Sequence, residues 1–107
     1  PDEQFLWKVK EAILARLGDE QLSVESLSEE IGLSRSQLFR KIAALTGASV
    51  NELILTFRLQ RAAQLLEQNR GPVIQVAYEV GFSNLSYFSK VFKEQYGVLP
   101  SEYADKN

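Results

Sequence analysis

The sequence predicts an all-α chain of about seven helices. Three observations predict it. Apolar residues recur every three or four positions, no stretch alternates with a period of two, and Gly or an Asn-Arg-Gly-Pro run interrupts the pattern at helix-length intervals. Residues 4–17 place Phe5, Val9, Ile13 and Leu17 four apart, with Lys8, Lys10, Glu11 and Arg16 between them, and Gly18 is expected to stop this helix. Ser23 opens a short helix whose Val24, Leu27 and Ile31 face inward, closed by Gly32. Ser34 and Gln37 have capping-box spacing and start the next helix, with Leu38, Ile42 and Leu45 as its inner stripe and Gly47 as its end. Ser49 and Glu52 repeat that spacing at the head of the longest helix, residues 50–69, which the Asn69-Arg70-Gly71-Pro72 cluster breaks. A short helix over 73–80 stops at Gly81, with Val73 at its N-cap, a poor capping residue. Another helix over 84–96 stops at Gly97, and Pro100 starts a closing turn through Tyr103.

These helices repeat. Ile31-Gly32-Leu33-Ser34 matches Val80-Gly81-Phe82-Ser83 at an offset of 49. After one extra residue, Leu38, Lys41 and Ile42 fall opposite Phe88, Val91 and Phe92, and Gly47 opposite Gly97. The expected organisation is a leader helix (1–18), a first helix-turn-helix (19–48), a linker helix (49–70) and a second helix-turn-helix (71–107).

The 107 residues suit one domain, with no disulfide or metal needed to hold it together. Zero Cys and zero His remove the usual metal-ligand sets and His-based general bases. No nucleophile–base pair or phosphate loop is present, so no enzyme activity and no cofactor are expected. No apolar run approaches the ~20 residues of a membrane span and no signal peptide is visible, which leads us to expect a cytoplasmic segment without membrane contact. The lack of Met even at residue 1 suggests a piece of a longer protein. The formal charge of −2 conceals a dipole: residues 1–30 carry three bases and eight acids, whereas residues 31–93 carry eight bases and three acids.

The second helix of each copy has an outward face fit for a polyanion. In the first copy Arg35, Ser36, Phe39, Arg40 and Lys41 are expected to project outward. In the second, Leu85, Phe88 and Phe92 anchor the helix, and Ser86, Ser89, Lys90 and Lys93 form a polar stripe at i, i+3, i+4 and i+7. Small hydroxyls let a helix approach base edges, while Arg and Lys reach guanine O6/N7 or phosphates. A connecting helix of about 20 residues spans roughly 30 Å, close to the ~34 Å between successive major grooves on one side of B-DNA.

The segments "GLSRSQLFRKIAALTG", "FRLQRAAQLL" and "VAYEVGFSNLSYFSKVFKEQYGVLPSEY" resemble the DNA-binding domain of AraC/XylS-type transcription regulators over about residues 20–103. The leader helix around Phe5-Leu6 is similar to that of output domains in hybrid two-component regulators. The resemblance implies two helix-turn-helix subdomains joined by a long helix, with base-reading positions at Arg35, Ser36, Phe39 and Arg40 in the first copy and Leu85, Ser86, Ser89 and Lys90 in the second. Two departures stand out. Leu85 replaces a residue that is often polar, and Ala104 stands where the family commonly has Arg. Implied partners are double-stranded DNA, RNA polymerase, sensor or receiver domains upstream in the same polypeptide, and a second copy in a full-length dimer. The implied location is the cytoplasm at the nucleoid, with a membrane anchor elsewhere if the full protein is a hybrid sensor.

Blander readings compete at several positions. Ser34 and Ser49 read as N-caps rather than nucleophiles, and Phe82, Phe88, Phe92 and Tyr96 as core rather than a stacking platform. Phe39 is open between a thymine-methyl contact and partial burial, and Arg58 between an internal ion pair and a DNA contact. Arg35, Lys41 and Lys93 suit phosphates better than bases. The rival reading for the whole chain is a helical protein–protein module, favoured by the acidic residues 1–30 and disfavoured by the bases on both second helices.

Overall fold

A computed structural model describes residues 1–105, and among them the chain forms seven helices and no strand. They are α1 (Asp2–Ala15), α2 (Val24–Ile31), α3 (Arg35–Thr46), α4 (Val50–Glu67), α5 (Val73–Glu79), α6 (Leu85–Tyr96) and α7 (Pro100–Asp105). Two compact units divide within α4, one spanning Pro1–Phe57 and the other starting at Arg58.

In the first unit α1 packs on α2 and α2 on α3. The apolar positions at helical spacing meet as predicted: Val9, Ile13, Leu27, Leu38, Ile42 and Ile54 are buried together. Leu45, expected in the inner stripe of α3, is only half-buried. Arg16 pairs with Glu30 at 3.0 Å, joining the end of α1 to α2. The first helix ends earlier than Gly18 suggests. The Arg16 N–H bonds the Ile13 carbonyl and the Leu17 N–H the Leu14 carbonyl, tightening the last turn, and Leu17 is buried beyond it.

Capping sets the starts of α2, α3 and α4. Ser23 caps α2 with Ser26 as its reciprocal partner. At α3 the Ser34 hydroxyl accepts the Gln37 N–H at 3.1 Å, and the Gln37 side-chain oxygen accepts the Ser34 N–H at 2.9 Å. Gly32, between α2 and α3, adopts φ 85°, a left-handed conformation that a side chain would strain. Ser34→Ala is expected to destabilise the first unit by ~1 kcal/mol, read as a shift of the urea midpoint without a change in slope.

At α4 Ser49 and Glu52 close the same box, both bonds at 3.0 Å. The backbone N–H of Ser49, aided by its hydroxyl, holds the Glu52 carboxyl below its ordinary pKa. The stabilisation is therefore present above the usual carboxylate range and fades as the pH falls through the lowered value.

In the second unit the buried residues include Leu59, Leu65, Leu66, Val76, Phe88 and Phe92. An aromatic chain runs through it, with ring centroids 4.9 Å apart for Phe82–Phe88, 5.6 Å for Phe88–Phe92, 4.6 Å for Phe92–Tyr96 and 5.3 Å for Phe92–Tyr103. The Tyr103 hydroxyl donates to the Glu67 carboxylate, fastening α7 to the end of α4. That bond pushes the Tyr103 pKa up to about 12, so its contribution holds below the ordinary phenol range and is lost as the pH rises through that value.

Several boundaries differ from the spacing-based expectation. Pro72, not Val73, is the N-cap of α5, in extended conformation and without a side-chain cap. Asn84 is the cap of α6 rather than its first residue, its side-chain oxygen accepting the Tyr87 N–H at 2.8 Å. The α4 helix ends at Glu67, where Asn69 takes a left-handed φ of 53°. The closing turn reaches Asp105, and the Glu102 carboxylate accepts the Leu99 N–H at 2.9 Å. That bond repeats the Glu52–Ser49 bond fifty residues earlier, so the duplication extends into the start of the following helix.

Candidate nucleic-acid interface

In the first unit α3 is held by Leu38 and Ile42, and its opposite side is open. Arg35, Ser36, Phe39 and Arg40 lie within a ~140° arc at about 100° per residue. The fold brings all four to one shallow depression of about 640 Å³, whose other walls are Val24 from α2 and Asn51 from α4. Phe39 settles on the outward alternative, at 54% exposure. Arg35 pairs with Glu25 at 3.1 Å, but both side chains are about two-thirds exposed, at 67% and 70%. Such a pair contributes little to stability and can be exchanged for a phosphate.

Lys41 does not join this group. It is exposed, but its ammonium sits 4.3 Å from the centre of the Phe5 ring on the far side of α3. There it lines a separate depression of about 310 Å³ with Phe5, Lys8, Ile31 and Leu33. Helical geometry explains this: Lys41 lies roughly 170° from the middle of the four-residue arc and borders the buried stripe. The repeat carried the signal, because its counterpart Val91 is buried. Asn51, by contrast, was not singled out by the sequence, and Val24, expected only to face inward, is half-buried and also lines the depression. Both flank α3 only after α2 and α4 pack beside it, and the sole local hint was the shared capping box in front of Asn51.

In the second unit Phe88, Val91 and Phe92 anchor α6. Ser86, Lys90 and Lys93 are exposed and Ser89 is half-buried, all on the side away from the core. Leu85, named both as an anchor and as a reading position, is half-buried at the first residue of α6. On α4, Arg61 donates to the Gln64 side chain at 3.1 Å and Arg58 is half-buried. No single helix among the described residues is long and apolar enough to cross a membrane.

A sequence profile described as a helix-turn-helix domain matches residues 27–106. A crystal structure of a transcriptional regulator of the AraC-type DNA-binding-domain proteins from Chromobacterium violaceum aligns with a TM-score of 0.89 at 28% identity, covering 97% of this chain and 92% of that one. The chain belongs to the AraC-type helix-turn-helix family.

This AraC-type domain is also similar to the DNA-binding domain of AdpA, a global transcriptional factor solved in complex with a target DNA. The TM-score is 0.86 at 30% identity, over 94% of this chain and 90% of that one. Among curated proteins it is 43% identical over 105 residues to Histidine kinase P4 of Formosa agariphila, a match to 98% of this chain. The AraC-type domain spans 8% of that kinase's length, and 35% and 28% of the Msm operon regulatory protein of Streptococcus mutans and the regulator MtrA of Neisseria gonorrhoeae.

Proposed function

We propose that this AraC-type domain binds double-stranded DNA sequence-specifically through α3 and α6 in adjacent major grooves and regulates transcription, most simply by activation. The observation that carries the proposal is the depression where Arg35, Ser36, Phe39 and Arg40 meet on the open side of a capped helix. The Arg40 guanidinium, the Ser36 hydroxyl and the exposed Phe39 ring can engage guanine, a base edge and a thymine methyl respectively, with the Arg35 guanidinium left for a phosphate. The outward Ser86, Lys90 and Lys93 give α6 a matching surface. In this reading residues 1–18 are a leader, 19–48 and 71–107 the two helix-turn-helix subdomains, and 49–70 the linker. The same reading makes the domain the cytoplasmic, nucleoid-bound output of a larger signal-responsive regulator, with sensor or receiver domains upstream. The kinase relative supports that setting. Contact with RNA polymerase and dimerisation through other segments of the full protein complete the proposal.

Selection of bound duplexes from a random pool at low and moderate salt tests it. An enriched motif is expected; retention of all sequences alike, vanishing as salt rises, would refute specific recognition. Lys93→Ala is expected to weaken every duplex to a similar extent and to lower the salt slope by ~1, measured by fluorescence anisotropy across a salt series. A loss confined to one sequence would contradict a phosphate role for Lys93.

A further inference from the structure

Asn51 is the second residue of α4, exposed, and lines the same depression as the four reading residues of α3. Its neighbours in the cap are committed elsewhere: the Ser49 hydroxyl accepts the Glu52 N–H, and the Glu52 carboxylate accepts the Ser49 N–H. The nearby acid Glu25 faces Arg35. Asn51 thus presents a neutral carboxamide on the wall of a site otherwise furnished with two guanidinium groups, a hydroxyl and an aromatic ring.

We infer that Asn51 is a further DNA-contact residue, donating its carboxamide N–H to a phosphate oxygen beside the groove that α3 enters and so fixing the register of α3. This inference rests on the DNA-binding reading of the α3 face. A phosphate is the fitting target because Asn51 belongs to the helix after the reading helix, and helices flanking a reading helix meet the sugar–phosphate backbone. A neutral donor positions the duplex without releasing a counterion, which separates its signature from that of a lysine.

The experiment compares Asn51→Ala, Asn51→Asp and Arg40→Ala with the parent domain, using a labelled duplex the parent selects from a random pool and its single-base variants. Asn51→Ala is expected to lose roughly 2- to 10-fold in affinity on all of these duplexes, with the salt slope unchanged. Asn51→Asp is expected to lose more, roughly tenfold or beyond, because its carboxylate faces a phosphate. Its thermal midpoint should equal or exceed the parent's, since a carboxylate in the first turn favours the helix. A merely structural Asn51 predicts the opposite pairing, with binding following stability. Should Asn51→Asp fold poorly, Asn51→Ala alone decides. Parent-like affinity in either well-folded variant, or an Asn51→Ala loss confined to one base position, overturns the inference. Arg40→Ala tells the two failures apart: if it weakens binding while the Asn51 variants do not, only the phosphate contact is wrong. If none weakens binding, the DNA-binding reading of this face falls with it.

Discussion

Phe92→Ala is expected to lower the stability of the second unit by about 3–5 kcal/mol, a large share of the 5–15 kcal/mol typical of a whole domain. Phe92 is fully buried, and its ring meets Phe88, Tyr96 and Tyr103 from both neighbouring turns of α6 and from α7. Truncation removes the transfer energy of the ring and leaves a cavity at the junction of α6 and α7. All four tyrosines of the chain lie in this unit, at 78, 87, 96 and 103, while the one tryptophan, Trp7, lies in the first. Near-ultraviolet circular dichroism of the tyrosines during urea unfolding therefore follows the affected unit. A midpoint shift corresponding to less than about 1 kcal/mol would show that the aromatic chain is not the keystone of this half.

Arg40→Ala is expected to weaken binding to a selected duplex by ~1–3 kcal/mol and to relax the base preference at one position. Arg40 stands exposed on the open side of α3, beside Ser36 and Phe39, where a guanidinium can reach guanine O6 and N7 together. Arg40→Lys should not restore the preference, because an ammonium lacks the planar fork that bidentate recognition needs. Titration against the selected duplex and its single-base variants checks both statements. Equal loss on all variants would reassign Arg40 to the phosphates; no loss at all would remove it from the interface.

How far the sequence could be read depended on whether a feature is local. The helices were legible because a helix declares itself within a few residues, as with Val9 and Ile13, or Leu38 and Ile42. The caps at Ser34 and Ser49 were legible for the same reason, since donor and acceptor are three residues apart. Ends were less so. The α1 helix stops at Ala15, before Gly18, its last turn tightened by the Arg16–Ile13 and Leu17–Leu14 backbone bonds, and Asn84 proved a cap where spacing suggested a first residue. Lys41 shows the limit from another side: it is exposed as expected, but counting bases on α3 did not separate it from the other four, whereas it faces Phe5 beside the buried stripe that its repeat partner Val91 enters.

By itself the sequence determined that this is an all-α chain of two related halves, each with a capped second helix whose outer side is polar and basic. Only the tertiary structure decided which of those outward residues share a surface. It gathered Arg35, Ser36, Phe39 and Arg40 around one depression, set Glu25 against Arg35, sent Lys41 to Phe5, and added Asn51 from the next helix. The reason is physical: periodicity and capping act along a single turn of chain, whereas a shared surface depends on how α1, α2 and α4 settle around α3 as their apolar sides leave water together.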